Sequence, residues 1–282
     1  MSVTKDRMVS DNKYDRLVEL IRELGPPAVA FSGGVDSSLV AAAAFQAHGT
    51  KALAVTLVSE LISGAEEQDA CWVAKAIGVR HEILRLSLLG EETVVSNTPD
   101  RCYYCKRLVF AAVGRLAERD GLAVVLDGSN ADDALTHRPG MRALGELGVV
   151  SPLMKLGYGK SDVRAMAKEA GVVSFKKPSM PCLATRFPYG ERLTDEGLAR
   201  VRAAEEYLKV IGLKVYRVRD HGGLARVEVA VEDIPKVAGR GLGQKIVAKL
   251  KSLGYNYVSL DLEGYRSGSM DVVVREPGDK QV

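Results

Sequence analysis

The sequence predicts an α/β protein in two parts, a doubly wound parallel sheet followed by a smaller α+β unit. Three observations carry that expectation. Short apolar, β-branched runs alternate through the first half with segments long enough for crossover helices. A glycine- and serine-rich turn directly follows the first of these runs, at what would be the ligand-binding edge of an open sheet. From Phe175 to Arg192 the texture changes: three prolines, a cysteine and four basic residues show neither helical nor strand period, as in a working loop or a linker. The expected domains are residues 1–175 and 176–282.

Taken in order, Ala28–Phe31, Ala52–Leu57, His81–Leu86 and Leu122–Leu126 read as buried strands. Between the second and third, Ser63 and Glu66 stand at capping-box spacing before an apolar stripe of Ala70, Val73, Ala74 and Ile77 that stops at Gly78. A further helix is expected over Asp162–Ala170, with Ser161 as N-cap and Gly171 beyond its end. The second part reads as a helix (Thr194–Ile211), two strands (Lys214–Arg219 and Ala225–Val231), a second helix (Pro235–Leu253) and a strand (Asn256–Leu260). The polar stretch Glu276–Val282 is expected to fray.

The 282 residues are 46% hydrophobic and 27% charged, and 39 basic against 36 acidic side chains leave a net charge of +3. That balance is too even for the counterion-release binding of a dedicated nucleic-acid protein. The longest mostly apolar run, Leu39 to Ala47, is about half of what a bilayer-spanning helix needs, and Met1 to Leu20 contains no signal-peptide core. A cytoplasmic protein with neither membrane nor nucleic acid as partner is expected. Four cysteines are too few for a disulfide-stapled scaffold, so a C-x-x-C pair among them reads as metal or redox chemistry.

Ser32-Gly33-Gly34-Val35-Asp36-Ser37-Ser38 joins the first strand to an alanine-rich helix. A helix start presents unpaired N–H groups and the positive end of the dipole, and the glycines let a phosphate approach the main chain. The stretch has neither the lysine of G-x-x-x-x-G-K-[ST] nor the spacing of G-x-G-x-x-G. Asp127-Gly128-Ser129-Asn130-Ala131-Asp132-Asp133 ends the fourth strand at the same edge. The adjacent carboxylates Asp132 and Asp133 suit Mg²⁺ on a triphosphate, or else the caps of a turn.

Cys102 and Cys105 form the C-x-x-C, and Cys182 lies in the proline-rich stretch. Positive neighbours (Arg101, Lys106, Lys176, Lys177 and Arg186) favour thiolates. The pair alone is compatible with a redox dithiol, half a zinc site or iron–sulfur ligation; with Cys182 it makes three soft ligands, enough for a four-iron cluster with one iron open. Cys71, beside Trp72 in the capped helix, reads as core packing. Arg217 and Arg219 share one face of a predicted strand and Arg226 lies on the next, either a basic binding face or a solvated one.

The SGGVDS stretch resembles the pyrophosphate loop of the ATP pyrophosphatases, among them asparagine, argininosuccinate, GMP and NAD synthetases and thiolation enzymes. The resemblance implies adenylate formation with release of pyrophosphate, and ATP contacts at Ser32, Gly33, Gly34, Asp36, Ser37 and Ser38, with Asp132 and Asp133 beside Mg²⁺. Asp36 either reaches the Mg²⁺ ion or caps the helix. Taken with RCYYCK, DGSNADD, RPG (Arg138–Gly140), SPL (Ser151–Leu153), PCLATR and GYRSGS (Gly264–Ser269), the chain is similar to the LarE family from about residue 13 to 275.

LarE proteins are ATP-dependent sulfur transferases of nickel-pincer nucleotide biosynthesis, which convert the carboxylates of pyridinium biscarboxylate mononucleotide into thiocarboxylates. The resemblance implies Cys182 and Asp36 as catalytic residues, and Arg217, Arg219, Arg226, Glu228 and Arg266, with Tyr265, on the substrate side. Trp72 or Tyr103 either stacks on the pyridinium or belongs to the core. Members with only the cysteine of the PCLA(S/T)R stretch give up its sulfur and keep dehydroalanine, whereas members that also have the C-x-x-C bind a [4Fe-4S] cluster. This chain is therefore expected to hold a cluster through Cys102, Cys105 and Cys182, to be recharged by a sulfide or sulfur donor, and to form a homo-oligomer. Two other readings share some of these residues. A tRNA thiolase shares the loop but calls for a basic RNA-binding surface, and a zinc-stabilised nucleotide sensor would add His81 or Cys71 to the three thiols.

Overall fold

The computed structural model of the chain describes residues 12–62, 64–135, 139–174, 181–266 and 269–270. Ser63 of the expected capping box, Arg138, Lys176, Lys177 and the polar tail lie outside the described residues. The chain divides into two compact units, one made of Met1–Ser59, Gly64–Leu86 and Cys102–Met180, the other of Glu60–Ser63, Ser87–Arg101 and Pro181–Val282.

The first unit opens with helix α1 (Lys13–Leu24), whose N-cap Asn12 accepts from the Tyr14 amide at 2.9 Å. Its stripe of Leu17, Val18 and Ile21 is buried, and this helix was not read from the sequence. Strand β1 (Pro27–Ala30), helix α2 (Val35–His48), strand β2 (Leu53–Val58), helix α3 (Gly64–Ile77) and strand β3 (Arg80–Arg85) follow. Then come helix α5 (Arg101–Arg119), strand β4 (Val124–Leu126) and helices α6 (Pro139–Glu146), α7 (Pro152–Lys155) and α8 (Lys160–Glu169), while the short helix α4 (Glu92–Val95) between β3 and α5 belongs to the second unit. The sheet order is β3-β2-β1-β4, all parallel, with Ala28 opposite Leu53 and Val125, and Leu53 opposite Arg80.

This is the expected parallel α/β sheet, with strand ends differing from the sequence reading by one or two residues. Helix α2 is apolar nearly all round, and Leu39, Val40, Ala41, Ala43 and Ala44 are fully buried, as a central helix requires. In α3, Ala70, Val73 and Ala74 are buried as expected. Cys71 is only half-buried and Trp72 is 60% exposed, so the core placement expected of the cysteine is corrected: both fall off the Ala70–Ala74 stripe. The helix expected from Asp162 with Ser161 as N-cap starts two residues earlier, at Lys160, with Gly159 as N-cap.

In the second unit helix α9 (Asp195–Val210) is capped by Thr194, whose hydroxyl accepts from the Gly197 amide at 3.1 Å. Strands β5 (Tyr216–His221) and β6 (Leu224–Val229) pair antiparallel, and β7 (Tyr257–Leu260) joins β6 in parallel. The single helix expected over Pro235–Leu253 is two, α10 (Ile234–Ala238) and α11 (Arg240–Ser252). Gly239 between them has extended backbone, φ −66° and ψ 148°. One sheet face carries Val218, Ala225, Val227 and Val229 into a core with Ala204, Leu208, Ile246 and Leu250. Residues 87–101 belong here because the Leu193 amide donates to Val95 O at 2.8 Å and the buried Asn97 donates through Nδ2 to Pro188 O at 2.8 Å.

Candidate functional site

In the first unit the strand order reverses beside β1, and the turns after β1 and β4 meet at that switch point, where open α/β sheets bind ligands. Gly33 adopts φ +68°, and a Cβ on it would stand 2.9 Å from the Ala70 Cα. Both the left-handed backbone and the close approach demand glycine. The loop is tied by its own hydroxyls: the Ser32 amide donates to Ser37 Oγ at 3.2 Å, and the two hydroxyl oxygens lie 3.1 Å apart. A Cβ on Gly128 would stand 2.8 Å from the Ser37 nitrogen, so the turn after β4 lies directly on the start of α2.

The resulting cleft of about 250 Å³ is lined by Ser32, Asp36, Ser37, Lys106, Asp127 and Asp133 among others. No side chain caps α2, whose N-cap is Gly34, and its first amides lack intrahelical acceptors. The Ser38 hydroxyl is buried without a hydrogen-bond partner among the described residues. An anion fits this cradle on both counts. Asp127 is fixed by the Ser129 and Ser151 hydroxyls, each at 2.5 Å.

Asp36 caps nothing: Oδ1 accepts from Asn130 Nδ2 at 3.1 Å, and Oδ2 forms an ion pair with Lys160. Of the adjacent carboxylates, Asp133 lines the cleft. Asp132 turns to the start of α8, where Oδ2 accepts the Lys160 amide at 2.8 Å. Replacing Gly33 with Ala is expected to abolish ATP binding in a calorimetric titration and to cost at least the ~1–2 kcal/mol of a left-handed non-glycine residue. Undiminished binding would remove the loop from the site.

Cys102 and Cys105 stand at the start of α5, three residues apart and so on one face of the helix. Tyr103 between them is buried: its hydroxyl donates to Glu146 Oε2 at 2.8 Å and the Arg142 guanidinium lies 3.9 Å from its ring centroid. That ring is a packing element with an arginine on its face. Of the two aromatic residues considered for stacking, Trp72 is the exposed one.

In the second unit Cys182 is exposed, at the N-terminal end of a 3-10 turn over Leu183–Arg186. Its carbonyl accepts from the Thr185 hydroxyl at 2.8 Å, the Thr185 amide at 3.1 Å and Arg186 Nη1 at 3.2 Å. Arg186 is itself 1% exposed and paired two-pronged with Glu205, both contacts at 2.8 Å. Glu205 Oε1 also accepts the Val218 amide at 3.1 Å, which ties the cysteine turn to β5. Arg186, and Arg101 bound to Asn97 and Ala184 O, are buried and paired.

The face of β5 and β6 opposite the core holds the predicted arginines. Arg217 and Arg219 are 7% and 4% exposed, so the solvated-face alternative is excluded. Glu228, wholly buried, accepts from Arg219 at 2.7 Å, Arg226 at 3.3 Å and the Ser269 hydroxyl at 2.9 Å. Arg219 Nη1 reaches the Thr185 carbonyl at 2.9 Å, beside the Cys182 turn. Arg217 lies 4.9 Å from the centroid of the Tyr265 ring; burial first, then repulsion from Arg186, pushes its pKa below the usual guanidinium value. The Nε atoms of Arg219, Arg226 and Arg266 are buried with no hydrogen-bond partner among the described residues. Arg266 pairs with Glu263 at the margin of this face. Glu228 is shared by two arginines and a hydroxyl, Arg226 also pairs with Asp261 at 3.7 Å, and Arg217 is buried beside them; such a gathering of guanidinium groups suits an anion.

Two features escaped the sequence reading. Glu205 falls on the apolar stripe of α9 with Leu198, Val201, Ala204 and Leu208, and a carboxylate on such a stripe signals a buried partner. Lys160, at the mouth of the nucleotide loop, carried no local signal. Among the described residues no three His, Cys, Asp or Glu side chains come together as a metal site, and no helix is long and apolar enough to cross a membrane.

A four-stranded parallel sheet with a serine–glycine loop and an uncapped helix start at its switch point belongs to the ATP-using PP-loop class. The asparagine synthase family matches residues 18–137, which hold that loop. The pyridinium-3,5-bisthiocarboxylic acid mononucleotide synthase of Lactiplantibacillus plantarum is 37% identical over 260 residues, 92% of this chain and 94% of that protein. The protein slr1717 of Synechocystis sp. is 39% identical over 265 residues, 94% of this chain and 98% of its own. A tRNA-specific 2-thiouridylase of Trichlorobacter lovleyi matches 95 residues at 36%, only 29% of this chain and 27% of that enzyme. The chain belongs to the LarE family of ATP-using sulfur transferases, that of the Lactiplantibacillus synthase.

Proposed function

We propose that this protein adenylates the carboxylates of pyridinium biscarboxylate mononucleotide and converts them to thiocarboxylates. The observation that supports this most directly is the buried arginine face beside the Cys182 turn. Arg219 keeps a buried Nε without a hydrogen-bond partner among the described residues, and burial and the neighbouring Arg186 weigh against the Arg217 charge; the phosphate and carboxylates of such a mononucleotide would answer both. Ser32, Gly33, Gly34, Asp36, Ser37 and Ser38 bind ATP in this reading, Asp36 and Asp133 would hold Mg²⁺, and Asp132 supports the start of α8.

A substrate carboxylate oxygen attacks the α-phosphorus of ATP, and pyrophosphate leaves. The acyl-adenylate then has a good leaving group, and sulfide delivered beside Cys182 attacks its carbonyl carbon, the new C–S bond replacing the C–O bond to AMP. The Cys182 carbonyl is fixed by three donors and the residue is exposed. Substrate-dependent formation of AMP, pyrophosphate and a thiocarboxylate, followed by mass spectrometry, tests this reading; adenylation without any sulfur product would reject it. A cytoplasmic, homo-oligomeric enzyme goes with the same reading.

The sulfur source proposed is an iron–sulfur cluster on Cys102, Cys105 and Cys182. The support is the donor set: two thiols on one helical face and a third exposed on a rigid turn are soft ligands suited to iron. Bound there, a [4Fe-4S] cluster would supply a transferable sulfide. Protein prepared without oxygen is expected to contain iron and acid-labile sulfide, and Cys102→Ala or Cys105→Ala to lose both. Stoichiometric colourless zinc would overturn the cluster. So would a wild-type protein that emerges from one cycle lighter by one H₂S, the mark of a sacrificed Cys182.

A further inference from the structure

We propose that His221 is a ligand-contacting residue of the arginine face, bonding an oxygen of the bound anion through Nε2 and taking up a proton as the anion enters. This rests on the reading of that face as the substrate side, and it adds a group that titrates near neutrality to a face of fixed guanidinium charges. His221 is the last residue of β5, and it alternates with Arg219 and Arg217, so all three share one face of the strand. Across the hairpin Arg219 stands opposite Arg226 and His221 opposite Leu224, which puts the imidazole diagonally across from Arg226. Its Nε2 is buried and has no hydrogen-bond partner among the described residues. The backbone next to it is fixed. The Gly222 amide donates to Asp220 Oδ1 at 3.1 Å, and Asp220 Oδ2 accepts from Arg200 Nε at 3.0 Å and from the Tyr255 hydroxyl at 3.1 Å.

A buried imidazole nitrogen without a partner is either an N–H lacking an acceptor or a lone pair lacking a donor, and either state costs desolvation free energy. An anion oxygen relieves the first directly and the second once the ring is protonated. The charged neighbours set the order of events. β5 contributes Arg219 and Asp220, and β6 contributes Arg226 and Glu228. Each nearby carboxylate is already engaged: Glu228 by both arginines, Asp220 by Arg200 and Tyr255, and Asp261, just after β7, by Arg226 at 3.7 Å. Glu191 reaches the hairpin at Gly222, where its charged neighbours are Asp220 and Arg200. Burial first, then Arg226, holds the His221 pKa below the ordinary histidine value, so without an anion the ring is neutral at neutral pH. A proton on it would set a further cation against Arg226 and Arg219. A bound dianion reverses that balance, because its charge favours the imidazolium. Proton uptake and anion binding therefore reinforce each other through one side chain.

The test is an NMR titration of the His221 ring in the full chain, assigned among the four histidines through its bonded neighbours, alone and with pyridinium biscarboxylate mononucleotide. Calorimetric affinities of wild type and His221→Gln for the same mononucleotide accompany it, from about pH 5 to about pH 8. The mononucleotide is expected to raise the His221 pKa. At the acid end wild type is expected to bind it roughly five- to a hundredfold more tightly than His221→Gln. The sign follows from a pKa that is low in the free protein and raised in the complex: the advantage is full below the free value and is lost as pH rises through the bound one. Titration of the ligand's own phosphate is common to both proteins and cancels in the ratio. His221→Gln breaks no hydrogen bond of Nε2, and its melting temperature is expected to stay near wild type; the wild-type ring titration does not depend on the variant. An unchanged His221 pKa in the complex, or an affinity ratio that is flat with pH, would overturn the proposal. Failure of the wild type itself to bind the mononucleotide would instead overturn the assignment of the arginine face to the substrate.

Discussion

Cys182→Ala is expected to bring thiocarboxylate formation to background while substrate-dependent release of AMP and pyrophosphate continues. The two half-reactions are expected to separate because the groups proposed for adenylation lie in the loop after β1, whereas Cys182 belongs to the other unit. The thiol is exposed and the contacts that fix its turn use the backbone carbonyl, so alanine removes one sulfur and creates no cavity. Thermal stability is therefore expected to be unchanged. Rapid-quench assays of both products, with a melting curve as control, check the expectation; sulfur transfer surviving in this variant would take Cys182 out of the chemistry.

The second large effect is expected at Arg186 and Glu205. Removing one member of a buried, two-pronged pair strands the other charge, a loss of about 3–5 kcal/mol. Here Glu205→Ala would also deprive the Val218 amide of its acceptor. Arg186→Met and Glu205→Ala are each expected to lower the melting temperature sharply and to raise hydrogen exchange at Val218. The double change Arg186→Met/Glu205→Leu replaces two charges by apolar groups and is expected to recover most of the stability, as such replacements can. Sulfur transfer is not expected to recover with it, because the Cys182 carbonyl has lost the Arg186 donor. A double variant that regains both would show that the pair serves the fold alone; single variants of unchanged stability would show that it serves neither.

The legible parts of this protein are those whose causes are local. A strand followed by glycines and a helix start is readable because the backbone conformation, the φ of +68° at Gly33, and the uncapped amides are set within a few residues. Thr194 was readable as the start of α9 for the same reason. The division of α10 from α11 was not, because the apolar period runs on past Gly239 while the backbone there turns extended. Asp132 and Asp133 look alike in sequence. One faces the start of α8 and the other the cleft: the partner of Asp132 comes 28 residues later in the chain, and the cleft that Asp133 lines is built from strands and loops that come before it.

What the order of residues determined by itself was the parallel α/β class, the nucleotide loop and the identity of the thiols and arginines, since each depends on short-range period, turn chemistry or composition. Only the tertiary structure decided which charges are buried, which carboxylates meet which cations, and that residues 87–101 join the second unit. The physical reason is that the cost of burying a charge is offset only by a partner in space. The partners of Arg186, Asp36 and Glu228 come from other elements, brought there by packing that no stretch of sequence encodes alone.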